Sequence, residues 1–129
     1  MRSFKDKIRV LIIEDNEANM YLATFLLESD GRFEIFQAVD GTSGLKAARD
    51  EKPGLLLLDI QLPDMDGYQI ARELKADPEM RHMHIIALTA FAMPGDDQKA
   101  YDAGCDGFLT KPINPDTFID SVIKLYEAG

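Results

Sequence analysis

The stretch 55-LLLLD-59, Leu55 to Asp59, decides how this chain folds. Four consecutive leucines show no alternation between apolar and polar positions, so neither face of the segment expects water. That is the pattern of a central strand in a parallel sheet covered on both sides. The run delivers a carboxylate, Asp59, to the strand's carboxyl end. The next residues, IQLPDMDG, are rich in turn formers: Pro63, Asp64, Asp66 and Gly67. Open parallel sheets bind ligands at the carboxyl ends of their strands, where the strand order reverses. Asp59 stands where such a site forms.

Other strands and helices fall into place on either side. Ile8 to Ile13 is a short branched apolar run that ends in Glu14-Asp15-Asn16. Asn16 is a good N-cap for a helix to about Ser29, with Ala18, Leu22, Phe25 and Leu26 expected on its buried stripe. Gly31 stops it. Phe33 to Val39 is more mixed in polarity and reads as a strand nearer an edge. Asp40-Gly41-Thr42 breaks it, and a helix over Ser43 to Glu51 follows, with Leu45, Ala48 and Ala47 turned inward. Pro53-Gly54 launches the leucine strand. Beyond the loop, Tyr68 to Lys75 has Ile70, Ala71 and Leu74 at helical spacing, and Asp77-Pro78 ends it.

Ile85 to Leu88 is a fourth strand, leading to Thr89-Ala90. Pro94 to Ala103 is a helix with a thin apolar stripe, Ala100, Tyr101 and Ala103. Such a helix is loosely anchored and suited to motion or partner contact. Asp106 to Thr110 is a fifth strand before Lys111-Pro112. Asn114-Pro115-Asp116 starts a last helix, striped by Phe118, Ile119, Val122, Ile123 and Tyr126.

This is strand–helix repeated five times. It implies a doubly wound α/β domain with a five-stranded parallel sheet, flavodoxin-like, in the order 2-1-3-4-5. Residues 1–129 are expected to form one domain, with its core about 8–127 and no second, output domain. In that order Glu14, Asp15, Asp59, Thr89 and Lys111 share one edge of the sheet.

Composition narrows the chemistry. Apolar residues make up 46% and the net charge is −9, which fits a globular chain and argues against nucleic acid or an anionic membrane as direct partner. A single cysteine, Cys105, has no internal disulfide partner and reads as a small buried hydrophobe, and a cytoplasmic setting is expected. The first residues, MRSFKDK, lack a signal-peptide pattern, and no apolar run is long enough to span a membrane.

Neighbouring strands lie about 4.8 Å apart, so Asp15 and Asp59 are able to share one ion. Crowded carboxylates repel unless a cation neutralises them. Oxygen donors without His or Cys favour Mg²⁺. Lys111 is two strands from Asp59, roughly 10 Å at the backbone, a gap that a lysine side chain covers for the most part. A carboxylate ringed by a metal, a lysine and a threonine hydroxyl is equipped to receive a phosphoryl group.

Four segments, VLIIEDNEANM, LLLLDIQLPDMDG, IIALTA and FLTKPI, together resemble the receiver domains of two-component response regulators, from about Arg9 to Tyr126. The resemblance implies that Asp59 accepts phosphate from a histidine kinase or a histidine phosphotransfer protein. Asp15 and Asp59 would hold Mg²⁺ directly, Glu14 mainly through water, and Gln61 through its backbone carbonyl. Thr89 would turn toward the phosphoryl group, Lys111 would pair with it, and the Lys111–Pro112 bond would be cis.

Within the family the wording is most similar to single-domain regulators of cell division and polarity, and also resembles receivers fused to hybrid kinases. Such a regulator would present a changed surface on its fourth helix, fifth strand and fifth helix to a downstream protein. It would be a monomer, with a transient dimer through that face as an option. A phosphorelay intermediate is the alternative. One departure stands out. The aromatic three residues before the lysine, a switch position in many receivers, is Phe108, which has no hydroxyl.

Other readings fare worse. Aspartyl-nucleophile phosphatases usually carry an acid two residues after the nucleophile, and Gln61 cannot serve as one. A flavin protein needs a Ser/Thr/Gly-rich phosphate loop where this chain has EDNEANM. Asp64-x-Asp66-Gly67 lacks the later ligands of a calcium loop and reads as a turn. His82 and His84 have no cysteine nearby and read as loop and strand-end residues. Gln61 and Phe91 flank the site and would tune the lifetime of the phosphoryl group.

Overall fold

The computed structural model describes residues 7–90 and 93–128. Phe91 and the first residues of the MRSFKDK segment lie outside them. Five strands, β1 (Ile8–Ile13), β2 (Phe33–Ala38), β3 (Leu55–Asp59), β4 (His84–Thr89) and β5 (Gly107–Thr110), form one parallel sheet in the order β2-β1-β3-β4-β5. The expected doubly wound architecture is present. All five residues of β3 are buried, because β1 and β4 flank it and helices cover both faces.

Two apolar layers sandwich the sheet, and the alternating direction of strand side chains separates them. Leu11, Ile13, Leu56, Leu58, Ile85 and Ala87 point into one layer, with α2 (Gly41–Glu51), α3 (Gly67–Ala76) and α4 (Asp96–Asp102). Val10, Ile12, Leu55, Leu57, Ile86 and Leu88 point into the other, with α1 (Glu17–Asp30) and α5 (Phe118–Ala128).

Several local expectations need correction. On α1 the buried face is Met20, Ala23 and Leu27, not a stripe through Ala18 and Phe25. Ala18 is exposed, Phe25 is 52% exposed, and Leu22 and Leu26 only flank the core. The two candidate stripes are offset by about two-fifths of a turn. Contact with α5 and β2 selected one of them.

α2 begins at Gly41, two residues before the expected Ser43, because Asp40 rather than a later residue is its N-cap, accepting from Ser43 N at 2.8 Å. α5 starts at Phe118. The Asn114-Pro115-Asp116 segment is a preceding turn in which Asn114 Oδ1 accepts from Asp116 N at 2.9 Å. α4 spans only Asp96–Asp102; Ala100 and the following Ala103 pack inward, whereas Tyr101 is 48% exposed.

Glycine punctuation is as expected. Gly31 closes α1 in the left-handed region at φ 90°. Cys105 is buried, as read from the sequence.

Candidate functional site

Each strand of the inner sheet delivers a polar group to the same carboxyl edge. β1 stops at Ile13, and Glu14 and Asp15 follow. Asp59 is the last residue of β3, Thr89 the last of β4, and Lys111 follows β5. Register explains the convergence: Ile13 pairs with Leu58, Asp59 with Leu88, and Thr89 with Thr110. The point where order reverses lies between β1 and β3, and the acidic residues flank it.

Burial divides these groups. Glu14 is 2% exposed, Asp59 3% and Thr89 4%, whereas Asp15 faces solvent. Ligand oxygens of Glu14, Asp15 and Asp59 all lie within 4.8 Å of one another. Lys111 Nζ lies 2.7 Å from Glu14 Oε1 and 3.1 Å from Asp59 Oδ2. Its reach across β4 agrees with the distance expected from strand spacing.

Backbone groups orient both buried carboxylates. Gln61 N donates to Asp59 Oδ1 at 3.0 Å, and Asn16 N donates to Glu14 Oε2 at 3.1 Å. Glu14 Oε1 is different: it is buried and, among the described residues, has no aligned hydrogen-bond donor, despite the short ion pair with Lys111. The ammonium neutralises it without satisfying it directionally.

Burial raises the Asp59 pKa. The Gln61 N–H opposes that rise, the Glu14 carboxylate beside it adds to it, and Lys111 works against both. For Lys111 burial acts downward, but Glu14 and Asp59 outweigh it and hold the ammonium above its ordinary value. Three carboxylates against one ammonium leave an excess of negative charge in a small volume.

That excess, the hard oxygen donors and the poorly aligned Glu14 Oε1 fit a small divalent cation such as Mg²⁺. Asp15, Asp59 and Glu14 are the side chains placed to hold it. The Lys111–Pro112 bond is cis, as the resemblance implied. Phe108 is half-buried on β5 against the core beneath α4. Beside Thr89, a shallow cleft of about 280 Å³ runs between Gln61, Tyr68, Met93 and Lys99.

The IQLPDMDG loop is more highly built than turn propensity suggested. Asp66 caps α3, accepting from Tyr68 N at 2.8 Å. Gly67 is obligatory: a Cβ there would stand 2.6 Å from Ile60 Cα and 2.7 Å from the Asp59 carbonyl oxygen. Asp64 accepts from Gly41 N, Thr42 N and Thr42 Oγ1 at 2.7, 2.9 and 2.8 Å. The sequence shows Asp64 only as a turn former, because its partners lie more than twenty residues away. His82 is exposed, and the His84 ring packs against Tyr126 with centroids 5.1 Å apart, so neither joins the acidic cluster.

A cation-ready acidic cluster with a lysine, at the switch point of a 2-1-3-4-5 sheet, defines a receiver module rather than a nucleotide- or flavin-binding relative of the same fold. The response regulator receiver domain model matches residues 10–123. The polar-differentiation response regulator DivK of Brucella anthropi is 42% identical over 113 residues, covering 88% of this chain and 91% of that protein. DivK of Brucella ovis matches at the same identity and coverage.

Among solved structures, the receiver domain of a sensor histidine kinase from Pseudomonas aeruginosa is 30% identical, with TM-score 0.83, over 94% of this chain and 98% of that one. That structure has a magnesium ion coordinated in its active-site cleft. The chemotaxis response regulator CheY4 of Vibrio cholerae, 24% identical, shares the fold with TM-score 0.86 over 92% and 98% of the two chains. This chain belongs to the response regulator receiver domain family. It is therefore a signalling module of two-component systems.

Proposed function

We propose that Asp59 accepts a phosphoryl group from a phosphohistidine on a histidine kinase or histidine phosphotransfer protein. The observation that carries this reading is Asp59 itself, buried at the end of β3 with Oδ1 fixed by Gln61 N and Oδ2 against Lys111. In the transfer an Asp59 carboxylate oxygen forms a bond to phosphorus as the phosphorus–nitrogen bond to histidine breaks. The electron pair of that bond leaves with the imidazole.

Asp15, Asp59 and the backbone carbonyl of Gln61 would hold Mg²⁺, with Glu14 acting mainly through water. Bound Mg²⁺ supplies neutralisation of the phosphoryl oxygens. Lys111 moves from its carboxylate pair to the new phosphoryl oxygens, and the Thr89 hydroxyl turns toward them. Glu14 and Asp15 keep the cation beside Asp59.

Signalling follows from a shift between two packings of the α4–β5–α5 face. α4 is suited to that shift. It is seven residues long, starts at Gly95 without a side-chain cap, and buries Ala100 alone. Phe108 switches by burial, since it has no hydroxyl to bond. The downstream partner is a protein that reads this face. The chain acts as a cytoplasmic monomer, dimerising transiently through the face at most, in a pathway of cell division or polarity like that of its DivK relatives. Among the described residues no helix is long and apolar enough to cross a membrane.

A second reading, a phosphorelay intermediate, draws on the similarity to the sensor-kinase receiver. A phosphoryl group that passes on to a second histidine protein would distinguish it.

The test is an amide NMR titration with Mg²⁺, then with beryllofluoride, a phosphoryl mimic. Mg²⁺ is expected to shift Asp15, Asp59 and Gln61. The mimic is expected to shift Thr89, Phe108 and α4. An Asp59→Asn protein that still takes up phosphate would overturn the reading.

A further inference from the structure

The geometry points to Asp64 as a positioning residue that sets the metal-binding loop against the first turn of α2. This inference rests on the Mg²⁺ reading above and names the regulation of that same site. Asp64 is five residues past the phosphoacceptor and touches none of the reacting atoms.

Asp64 directs its side-chain hydrogen bonds to one helix end. Its Oδ1 accepts from Gly41 N at 2.7 Å, and its Oδ2 accepts from Thr42 N at 2.9 Å and from Thr42 Oγ1 at 2.8 Å. Those amides belong to the first turn of α2, where N–H groups lack partners inside the helix and the positive end of the helix dipole favours a carboxylate. The Asp40 side chain already caps the same helix through Ser43 N. Asp64 therefore supplies acceptors to donors that the helix's own cap does not reach. Its pKa lies below the ordinary value, first through Gly41 N and then through Thr42.

The same turn of α2 also references the other half of the acidic cluster. Gly44 lies so close to β1 that a Cβ there would be 2.9 Å from Ile13 Cγ1. Ile13 is the residue before Glu14. Glu14 N, in turn, donates to Ala38 O at 3.0 Å, two residues before Asp40. A Cβ on Gly41 would be 2.7 Å from Met65 Sδ and 3.1 Å from Asp64 Oδ1. One helix end thus fixes the loop bearing Glu14 and Asp15 and the loop bearing Gln61.

Between Asp59 and Gly67 the chain is also tied to β4 by Ile60 N donating to Leu88 O at 3.1 Å, and to itself by the Gln61–Asp66 bridge and by Gly67 N donating to Ile60 O at 2.9 Å. The first fixes the loop's start on the β4 side, and the others close the loop on itself. Asp64 adds the tie to the first turn of α2, and through it sets the distance of the closed loop from β1. Metal affinity is sensitive to that distance, because Mg²⁺ demands near-ideal octahedral geometry.

Mg²⁺ titration of wild type, Asp64→Ala, Asp64→Asn and Thr42→Val tests this, read from amide shifts near Asp15 and Gln61. Asp64→Ala is expected to weaken Mg²⁺ roughly tenfold, as loss of supporting hydrogen bonds around a metal site does. Asp64→Asn and Thr42→Val keep part of the contact and are expected to fall between. Ala48→Gly is the control, since it loosens α2 without touching the Asp64 hydrogen bonds to Gly41 and Thr42. It is expected to lower the melting temperature and leave Mg²⁺ affinity unchanged.

A folded Asp64→Ala that binds Mg²⁺ within about twofold of wild type, well short of the outer-shell effect, overturns the inference and leaves the phosphoacceptor reading standing. Equal weakening by Ala48→Gly overturns it too, because the effect is then one of stability. If Asp64→Ala does not fold, Thr42→Val decides by the same comparison. Wild type that fails to bind Mg²⁺ defeats the metal reading itself, and the inference with it.

Discussion

Lys111 Nζ lies 3.1 Å from Asp59 Oδ2, with only 13% of the lysine side chain and 4% of the aspartate side chain exposed. The ammonium arrives from beyond β5, crosses β4, and also meets Glu14 Oε1 at 2.7 Å. Its charge is the nearest compensation for two carboxylates buried side by side.

Removing that charge is costly. Lys111→Met leaves Glu14 and Asp59 facing each other without a cation, and breaking a buried pair from one side costs about 3 kcal/mol. Urea unfolding at pH 7 without divalent cation measures it. Saturating Mg²⁺ is expected to recover part of the loss, because a ligand that binds only the folded state stabilises it. Equal stability of Lys111→Met and wild type without Mg²⁺ counts against the ion pair as the compensating contact.

The pH dependence of stability carries the signature of Asp59. Burial first, and Glu14 beside it, raise its folded pKa above 3.8, against the pull of Gln61 N and Lys111. The folded chain therefore binds a proton more tightly than the unfolded chain does. Stability is gained as pH falls through the folded pKa and is fully gained below 3.8. Asp59→Asn is expected to be more stable than wild type at pH 7 without Mg²⁺, and the gap is expected to close as pH drops toward 3.8. Parallel stability curves for the two proteins refute this.

Much of this was legible in the sequence, for identifiable reasons. A run like LLLLD admits few environments, so the central strand, its neighbours and the edge bearing Asp59 follow from it. Glu14, Asp15, Thr89 and Lys111 converge because each ends or follows a strand, and strand ends are what sequence patterns mark best. The structure brings the side chains of Glu14, Asp15 and Lys111 together around Asp59 and sets Thr89 at the same sheet edge, as the order 2-1-3-4-5 requires. Helix faces were less legible. On α1 both the Phe25 and the Leu27 stripes are apolar, and only packing chooses between them. Tyr101 looked able to pack, but α4 is too short to bury it. Asp64 read as a turn residue because its partners, Gly41 and Thr42, become neighbours only after the sheet has formed.

Cys105 offers a check on the core below α4. Burial pushes its thiol up to about 12, Asp106 adds to that, and Lys75 opposes it. At pH 8 only roughly 10⁻⁴ of such a thiol is thiolate, against about a quarter of an ordinary one near 8.5. Iodoacetamide at pH 8 is expected to modify the native chain slowly and the urea-unfolded chain rapidly. Equal rates would mean that the α4–β5 corner opens readily, and would support motion there without any phosphoryl group.

Gly67 tests how tightly the loop is coupled to the phosphoacceptor. Its missing Cβ would stand 2.6 Å from Ile60 Cα and 2.7 Å from Asp59 O, both backbone atoms that cannot rotate away. Gly67→Ala must therefore move either the start of α3 or the end of β3. Overpacking of this kind costs about 3 kcal/mol. If β3 moves, Asp59 loses its register against Gln61 N and Lys111, and Mg²⁺ affinity falls along with stability. If α3 moves instead, stability falls alone. Urea unfolding and Mg²⁺ titration of the same variant separate the two. Loss of both is the expected result, because β3 carries the Asp59 oxygen that the new methyl would meet, and α3 is held at that end by the Asp66 cap.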